Sequence, residues 1–382
     1  MTLPRSFLIF SGSNDRAVLA FLRALERCGQ EPYIVAWTNQ DRIFRTKYRP
    51  HVVHARSSST LDMDNFALYV QEVRRIACDK ELVVLPSSEY LNTFLVQNRS
   101  DIEALGCRIP LVNPATYFEL TNKESAAELF SLNGFSVPRN YQLPIDAQYP
   151  LIAKPRRNVA KDSLLLYPQF LNSIGDLAEF KAKFDEAEFF FQERVRGRSL
   201  YLLFYLSPSS DHAVLYSQLN LLQQPGGKSI LMAVSAALQE TELAQRVVHL
   251  LRQQGFHGLG MIEFIQRAED MIFIEMNPRI WGPVQLCVDN GIPILEAFIG
   301  DAIHDDPSHF LARRRKPKKP RHYAWLGGIA ASLSGGRRPV RLDPKHSWSN
   351  LLFNCARNDV YLRQDSWRCF LYDLRKAVFG EG

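Results

Sequence analysis

Apolar residues near the start of the chain alternate between short continuous runs and a stretch with helical spacing. Apolar runs occur at 7–10, 33–37 and 82–86, and each has the length and composition of a buried strand. Residues 17–25 place apolar side chains three and four positions apart, which predicts a helix that ends near Gly29. Strands that alternate with helices predict a parallel sheet, because parallel strands need a long crossover connection.

Polar loops follow two of these predicted strands. Ser11-Gly12-Ser13 comes after the first strand, and Ser87-Ser88-Glu89 comes after the third. Ligands of open parallel sheets bind beyond the carboxyl ends of the strands, so we expect a substrate edge at these loops. The first loop does not have the G-x-G-x-x-G pattern, so the sequence gives little support for a dinucleotide site.

The hydrophobic pattern changes near residue 115. Residues 122–132 predict a helix that is stopped by Asn133-Gly134, and 240–254 predict a second, amphipathic helix. Between about 150 and 300 the chain is otherwise dominated by short strand-like runs. These runs lie at 151–154, 189–192, 200–206, 261–265 and 271–276.

Two acidic residues face each other in a hairpin predicted from the last two of these runs. A short polar segment separates the runs, as expected for two strands joined by a tight turn. If the loop consists of residues 268–270, Glu263 lies directly opposite Glu275. Because side chains alternate between the faces of a strand, Asn277 then lies on the same face as Glu275.

Two carboxylates on one face of an apolar sheet are unfavourable unless a cation lies between them, because each is costly to desolvate. Magnesium takes hard oxygen ligands from one or two carboxylates and completes its shell with phosphate and water. We therefore predict Glu263, Glu275 and Asn277 as ligands of Mg²⁺ or Mn²⁺. One solvent-facing glutamate beside one salt-bridged glutamate is the alternative.

Arg279 follows the last predicted metal ligand by two residues. Its planar guanidinium suits phosphoryl or carboxylate oxygens, so we expect it to lie over the same phosphates. A purely structural role at the end of the hairpin is the alternative.

The segment Glu275-Met276-Asn277-Pro278-Arg279, preceded by Glu263, resembles the metal-binding motif of the ATP-grasp superfamily, and the resemblance covers roughly residues 5–300. It is closest to the branch of carbamoyl phosphate synthetase, biotin carboxylase and the carboxylate–amine ligases. In that branch the two acidic positions and the asparagine hold magnesium, and the arginine contacts phosphate or the reacting group. The resemblance thus implies ATP and Mg²⁺ (or Mn²⁺) as cofactors.

Further matches follow in the order of the family. Lys123 and Lys154 match two lysines that contact ATP, and 192–197 resemble the hinge whose backbone meets adenine. Gly226-Gly227-Lys228-Ser229 resembles a glycine loop near the acceptor site. The implied catalytic residues are Lys154 and Arg279. The implied cofactor-binding residues are Lys123, Lys154, Gln192, Glu193, Arg194, Val195 and Arg279.

Two segments depart from the family pattern. The family has a glycine-rich lid after the strand lysine, whereas residues 155–160 contain no glycine, which puts their cover of the phosphates in question. Ser199 stands where the hinge usually has a glutamate for the ribose.

The resemblance implies a combined α/β and α+β fold, the ATP-grasp fold. A Rossmann-like pre-ATP-grasp domain with a parallel sheet would span 1–114, an ATP-grasp domain 115–305, and a C-terminal extension 306–382. Within the ATP-grasp domain, a small central lid lobe would span about 140–200. A mixed-sheet, metal-binding lobe would span about 200–305.

The implied activity is that of a carboxylate–amine ligase. A substrate carboxylate attacks the γ-phosphate of ATP, and an amine then displaces phosphate from the acylphosphate. Phosphoryl or carboxyl transfer through an acylphosphate, and a nucleotide-binding module without turnover, are the alternatives. The expected partners are small-molecule carboxylate and amine substrates. The sequence does not identify them, and it leaves a homodimer open.

Composition and charge add few constraints. The 382 residues suit two or three lobes with their own cores. The net charge of +6 is uneven, with a basic run at 313–321. We favour a solvated loop over a nucleic-acid site there, because no aromatic residue interleaves the cluster. The scattered cysteines predict buried thiols, and a cytoplasmic protein without membrane contact is expected, since no apolar run reaches roughly 20 residues.

Overall fold

The computed structural model describes residues 4–58, 60–77, 80–142, 148–156, 166–311 and 321–380. Over these ranges the chain forms one parallel and two antiparallel sheets with helices packed around them. The predicted combination of α/β and α+β architecture is therefore confirmed. Residues 157–160 of the glycine-poor loop, 313–320 of the basic run and Cys78 lie outside the described residues.

The first part of the chain forms the parallel sheet. Its strands are β1 (Arg5–Phe10), β2 (Tyr33–Ala36), β3 (Val52–Ala55), β4 (Glu81–Val84) and β5 (Cys107–Arg108). They lie in the order β3-β2-β1-β4-β5. Alternate residues of β1 enter two different hydrophobic clusters, one on each face of the sheet. Burial on both faces explains the continuous apolar run at 7–10.

The helices of this part of the chain pack around the sheet or follow its last strand. They are α1 (Asp15–Arg27), α2 (Met63–Ala77), α3 (Glu89–Gln97), α4 (Arg99–Ala104), α5 (Pro114–Thr121) and α6 (Lys123–Leu132). The predictions at 7–10, 33–37 and 82–86 correspond to β1, β2 and β4, whereas β3 and β5 were missed. The edge strand β3 is only half-buried, and β5 has two residues, so neither produces an apolar run.

The second sheet is small and antiparallel. It consists of β6 (Asn140–Tyr141), β7 (Leu151–Pro155), β8 (Gln169–Leu171) and β9 (Phe189–Glu193), with α7 (Ile174–Lys183) packed on it. The strand order is β6-β9-β7-β8. A separate apolar cluster fills the space between this sheet and α7, which makes this region a lobe with its own core.

The third sheet is the largest. Its strands are β10 (Arg198–Leu206), β11 (Ala213–Gln223), β12 (Ile230–Ser235), β13 (Gly258–Arg267), β14 (Asp270–Asn277), β15 (His322–Ala324) and β16 (Val340–Arg341). They lie in the order β14-β13-β10-β11-β12-β15, and β16 pairs with β11. The accompanying helices are α8 (Glu242–Gln253), α9 (Gln285–Asp289), α10 (Ile294–His304), α11 (Leu326–Ser334), α12 (Trp348–Asn358) and α13 (Trp367–Phe379).

The segment after residue 305 is joined to the third sheet by main-chain hydrogen bonds, since it supplies β15 and β16. The predicted domain boundaries at 114 and 305 stay predictions. All cysteines in the described ranges are buried, as predicted: Cys28, Cys107, Cys287, Cys355 and Cys369. None of the described helices is both long and apolar enough to cross a bilayer.

Arg23 on α1 ties the parallel-sheet region to the C-terminal segment. Its guanidinium contacts both carboxylate oxygens of Asp365, at 2.8 and 2.7 Å, and donates to the side chain of Gln285. It also donates to the carbonyl of Val360 and the hydroxyl of Ser366. The side chain is 7% exposed, so this ion pair is largely shielded from water.

We predict that Arg23→Met lowers the free energy of unfolding by about 3–5 kcal/mol, because it leaves the half-buried Asp365 carboxylate without its partner. Urea unfolding followed by tryptophan fluorescence measures the change. Arg75→Met on α2 is the matched control, since Arg75 forms only an exposed pair with Glu72. Its expected cost is about 0.5 kcal/mol or less. Equal costs for the two variants would contradict the role of Arg23.

Candidate active site

The predicted metal-site residues lie on the hairpin of β13 and β14. The two strands are antiparallel, with Glu263 directly opposite Glu275 and Met261 opposite Asn277. The amide nitrogen of Asn277 donates a 2.8 Å hydrogen bond to the Glu275 carboxylate. The structure therefore brings together the three side chains proposed to hold a divalent cation, and cation binding itself stays a prediction.

The turn of the hairpin differs from the prediction. The three-residue loop 268–270 is wrong, because Arg267 pairs with Asp270 and leaves a two-residue turn. Ala268 begins this turn with a φ of 54°, a left-handed conformation that suits a tight hairpin. By itself, this shorter turn would move the pairing of the two strands by one residue.

A β-bulge restores the predicted pairing. Phe264 pairs with Phe273, and the next pair along the ladder is Glu263 with Glu275, so Ile274 is the extra residue. A bulge re-aims the side chains that follow it and is common beside functional sites. The opposition of the two carboxylates thus depends on a turn and a bulge that compensate each other.

Burial and Glu275 oppose the charge of Glu263, and the attraction of Lys154 compensates for them only in part. The hydroxyl of Ser199 donates a 2.7 Å hydrogen bond to its carboxylate, and the amide of Asn220 donates to that hydroxyl at 2.8 Å. Burial, and then the facing carboxylate of Glu275, raise the pKa of Glu263 to about 7. The ionised form of Glu263 is therefore short of positive charge.

Glu275 lies beside two lysines. The ammonium of Lys123 is 4.0 Å from a carboxylate oxygen of Glu275. Burial opposes ionisation of Glu275, but Lys123 and Lys154 outweigh it, and the pKa of Glu275 is lowered. Lys154 on β7 is 7% exposed. Burial lowers its pKa to about 8, partly opposed by the attraction of Glu275. The two carboxylates therefore differ in their electrostatic surroundings.

The local sequence explains how Lys123 reaches the site. The side chain of Asn122 accepts hydrogen bonds from the backbone N–H groups of Glu124 and Ser125, which begins α6 at Lys123. Lys123 thus projects from the first turn of a capped helix. Lys154 comes instead from the small second sheet, so the two lysines beside Glu275 are supplied by two separate elements, α6 and β7.

Arg279 lies next to Asn277. Its guanidinium donates 3.2 Å hydrogen bonds to the side-chain oxygen of Asn277 and to the carbonyl of Ile280. These contacts are compatible with both predicted roles. They fix the end of the hairpin, and they place the positive charge of Arg279 next to a predicted metal ligand. A role in phosphate binding stays a prediction.

The hinge after β9 offers unused hydrogen-bonding groups. Gln192 is 2% exposed. Its side-chain amide nitrogen donates a 2.7 Å hydrogen bond to Asn140, but its buried side-chain oxygen has no partner. Within the described chain, the N–H of Val195 donates no hydrogen bond either, whereas those of Glu193 and Arg194 bond the carbonyls of residues 139 and 150. One acceptor and one donor at the hinge are therefore available to a base such as adenine.

The side chains of Glu193 and Arg194 are engaged within the protein. Glu193 forms an ion pair with Arg267 at the tip of the hairpin. The guanidinium of Arg194 lies 4.4 Å from the ring centroid of Phe170 and donates to Asn172 at 3.0 Å. Any contact of these two residues with a nucleotide would therefore use their backbone, as the resemblance implies.

The carboxyl edge of the parallel sheet meets the end of the hairpin. Asn14 donates 3.0 Å hydrogen bonds to the carbonyls of Ser87 and Ile280, and Asn92 donates to the carbonyl of Pro278 at 3.1 Å. Glu89, at the start of α3, lines the same cleft as Glu275, Asn277 and Arg279. Of the two loops that the sequence placed at a substrate edge, residues 87–89 thus supply Glu89 to the candidate site, while Asn14 connects the loop after β1 to the end of the hairpin.

The glycine loop between β11 and β12 lies beside this edge. Gly226 and Gly227 have φ values of 78° and 71°, which explains the two glycines. The Ser229 hydroxyl accepts a 3.0 Å hydrogen bond from Arg16 on α1, and the Lys228 ammonium lies 4.3 Å from the ring centroid of Tyr167. The loop therefore contacts both the parallel-sheet region and the segment before β8, and its role with an acceptor stays a prediction.

Ser199, Tyr201 and Asn220 belong to the site, and sequence reasoning did not place them there. Ser199, which the resemblance put at a ribose position, instead bonds Glu263. Tyr201 pairs with Glu263 across β10 and β13, and burial together with the two carboxylates raises its pKa. Ser199 and Tyr201 are two residues apart on one strand, but the local sequence does not reveal which strand lies beside them.

Comparison with known proteins agrees with this geometry. Residues 201–298 match the family model described as "Carbamoyl-phosphate synthase L chain, ATP binding domain". No curated protein gives a significant sequence match. The three sheets have the ATP-grasp fold, and the matched segment contains the hairpin of β13 and β14.

Several solved structures share this fold. The biotin carboxylase domain of 2-oxoglutarate carboxylase from Hydrogenobacter thermophilus, solved with MgADP and bicarbonate, has a TM-score of 0.59 at 13% identity, over 84% of this chain and 72% of that one. Biotin carboxylase from Campylobacter jejuni has a TM-score of 0.59 at 16% identity, over 84% of this chain and 74% of that one. L-amino acid ligase from Bacillus licheniformis has a TM-score of 0.57 at 16% identity, over 80% of this chain and 75% of that one. At such identities the likeness establishes the fold alone.

We predict that neutralising the two facing glutamates changes stability in opposite directions. At pH 8 in EDTA, Glu263→Gln should stabilise the fold by on the order of 1–3 kcal/mol, because a carboxylate with a raised pKa is destabilising when ionised. Glu275→Gln should destabilise it, because a carboxylate with a lowered pKa is stabilising when ionised. Thermal unfolding measures both changes.

The pH dependence provides the control for this pair. Below about pH 7 Glu263 becomes protonated in the folded state, so the advantage of Glu263→Gln should shrink as the pH falls from 8 towards 5. A shift of the same sign for both variants at pH 8 would contradict the electrostatic difference between the two carboxylates.

Proposed function

We propose that this protein is an ATP- and Mg²⁺-dependent ligase that activates a substrate carboxylate as an acylphosphate and joins it to an amine. The observation that supports this most is the pairing of Glu263 with Glu275, with Asn277 alongside and with Lys123 and Lys154 attracting Glu275. The relatives add support, since one was solved with MgADP and another is an L-amino acid ligase.

The donor set fits a divalent cation. Two carboxylates and an amide oxygen are hard ligands of the kind that Mg²⁺ prefers, and the raised pKa of Glu263 indicates missing positive charge on its side of the pair. Glu263, Glu275 and Asn277 would hold the ion. When bound, Mg²⁺ neutralises phosphate charge and favours in-line transfer.

The hinge fits the base of a nucleotide. The unpartnered side-chain oxygen of Gln192 can accept a hydrogen bond from an exocyclic amine, and the backbone N–H of Val195 can donate one to a ring nitrogen. This arrangement would place the base at the end of β9 and direct the phosphates towards Lys154, on the adjacent strand β7 of the same sheet.

The chain's own residues would then act mainly by charge and position. Lys154 and Arg279 would stabilise the negative charge that develops on the transferred phosphoryl group, and Lys123 would bind a phosphate oxygen. Lys154 is nearly dehydrated, which strengthens its attraction for phosphate. A closed cleft would protect the acylphosphate from water until the amine attacks.

We predict that Glu275→Gln lowers the rate of ADP release at least about 100-fold, because the variant loses one charged ligand of the cation and the partner of two lysines. A coupled ADP assay with a panel of amino acids and small acids measures the rate. Glu269→Gln is the matched control, since Glu269 is exposed in the turn of the same hairpin. An active Glu275→Gln variant would refute the metal assignment.

We predict that Lys154→Met lowers kcat by about 10²–10³-fold with a smaller change in the KM for ATP, since Lys154 is proposed to act mainly on the developing charge. Steady-state ADP release at saturating Mg²⁺ separates the two parameters. Lys183→Met, at an exposed position on α7, should leave both unchanged. An unaltered kcat in Lys154→Met would remove Lys154 from the proposed chemistry.

Mass spectrometry of the product separates ligation from transfer. An amide bond between the acid and the amine supports the ligase, whereas a phosphorylated or carboxylated product supports the alternative transfer reaction. ATP binding without ADP formation over a broad substrate panel would instead indicate a nucleotide-binding module.

A further inference from the structure

Arg56 is a buried arginine at the carboxyl edge of the parallel sheet. It directly follows β3, and its backbone N–H donates a 2.8 Å hydrogen bond to Ala36 at the end of β2. The residue is only 9% exposed, yet its buried Nε has no hydrogen-bond partner. Among the residues that the structure describes, its guanidinium donates no hydrogen bond and forms no ion pair.

The unpartnered Nε–H of Arg56 is costly, because a buried donor has lost water without gaining a partner. Burial lowers the pKa of Arg56, with partial opposition from Tyr69, Asp41 and Tyr90. Two other arginines of the described chain that are equally buried, Arg16 and Arg23, do have hydrogen-bond partners. Arg16 bonds Ile230, Tyr323 and Ser229, and Arg23 makes the contacts with Asp365 described above.

The nearby carboxylate of Asp41 does not act as the partner of Arg56. One of its oxygens accepts from the hydroxyl of Ser11 at 2.7 Å and the N–H of Trp37 at 2.8 Å. The other accepts from the N–H of Ile43 at 2.9 Å. Asp41 is therefore committed to the loops after β1 and β2, and the donors of Arg56 remain available.

A second orphaned polar group lies near Arg56. Tyr69 on α2 is fully buried, and its hydroxyl has no hydrogen-bond partner. Its ring packs against His54 and Phe10, with centroids 5.2 and 6.4 Å away. His54 contacts Tyr69 and lies two residues before Arg56, which places the Tyr69 ring on the same side of the chain at β3 as Arg56. A guanidinium fork and a phenol beside it are suited to one oxyanion.

The position of Arg56 relates it to the candidate active site. The strand order β3-β2-β1-β4 places Arg56 within about 14 Å of the end of β4, at a spacing of about 4.8 Å per strand. The segment after β3 also reaches α3, since the N–H of Leu61 donates a 3.0 Å hydrogen bond to Tyr90. Glu89, which precedes Tyr90, lines the cleft that contains Arg279.

We propose that Arg56 and Tyr69 form a subsite for a carboxylate at the far end of the substrate. The substrate is then a small acid with two separated anionic groups, one activated near Arg279 and the other held at Arg56. The identity of this ligand as the substrate rests on the proposed ligase function, whereas anion binding at Arg56 does not.

Anion binding is tested on the full-length protein without nucleotide. Thermal unfolding is followed while glutarate or inorganic phosphate is added, with chloride at matched ionic strength as the reference. Arg56→Met removes the subsite. Arg49→Met is the matched control, because Arg49 is an exposed arginine at the other end of β3.

Glutarate should raise the Tm of the wild type and of Arg49→Met but not that of Arg56→Met, and phosphate should act more weakly. Equal shifts in all three proteins, or no shift in any, would overturn the subsite. A stronger effect of phosphate than of glutarate would overturn the assignment to a carboxylate.

The ligand-free proteins supply an independent readout. Without an anion, Arg56→Met should raise the Tm by about 2–4 °C, because it removes a buried donor that has no partner and keeps an apolar stem of similar length. If Arg56 only stabilised the fold, its replacement would lower the Tm. A Tm of Arg56→Met well below that of Arg49→Met would therefore overturn the proposal.

Turnover distinguishes this inference from the proposed function. With an acid substrate that supports ADP release, Arg56→Met should raise the KM for that acid at least about 10-fold with little change in kcat. An unchanged KM would count against the subsite. Absence of ADP release in the wild type would count against the ligase function, while the glutarate result would still decide the subsite.

Discussion

The opposition of Glu263 and Glu275 across one hairpin is the constraint around which the site is built. Two carboxylates cannot face each other in a half-buried cleft without compensation, and the chain provides it unequally. Lys123 and Lys154 both lower the pKa of Glu275, whereas Glu263 receives the Ser199 hydroxyl and the attraction of Lys154 alone among these two lysines. The imbalance leaves one side of the pair in need of positive charge, and this is the side where an added cation gains most.

The same constraint explains why the site draws on all three sheets. Lys154 comes from the small second sheet, the carboxylates come from the third, and Glu89 follows the parallel sheet. The second sheet is tied to the rest partly by surface ion pairs, such as Glu193 with Arg267 and Arg156 with Glu124. Exposed pairs of this kind stabilise a structure little, so the lysine on β7 is held near the carboxylates chiefly by charge and by its own lobe.

The sequence predicted which residues of the hairpin lie together better than it predicted the turn and the strand pairing that bring them together. The alternation of side chains correctly placed Glu275 and Asn277 on one face, but the predicted opposition of Glu263 and Glu275 holds only because the shorter turn and the bulge compensate each other. The two-residue turn and the bulge at Ile274 depend on how the strands fit the whole sheet, and the predicted loop was therefore wrong. Ser199 and Tyr201 were missed for a related reason, since their place beside Glu263 depends on the pairing of β10 with β13. The edge strand β3 was missed because half-burial gives no continuous apolar signal.

Glu263 and Arg56 are both charged groups whose partners within the described chain are incomplete. Lys154 compensates the charge of Glu263 only in part, the Nε of Arg56 has no hydrogen-bond partner, and each pKa moves in the direction that disfavours the charged form. Packing alone would not favour such groups, since an apolar or neutral side chain of similar size would be more stable at either position. Their presence is accounted for if each charge is completed by something that the chain does not contain. A cation with its phosphates at Glu263 and an anionic group at Arg56, as proposed above, would reduce both costs.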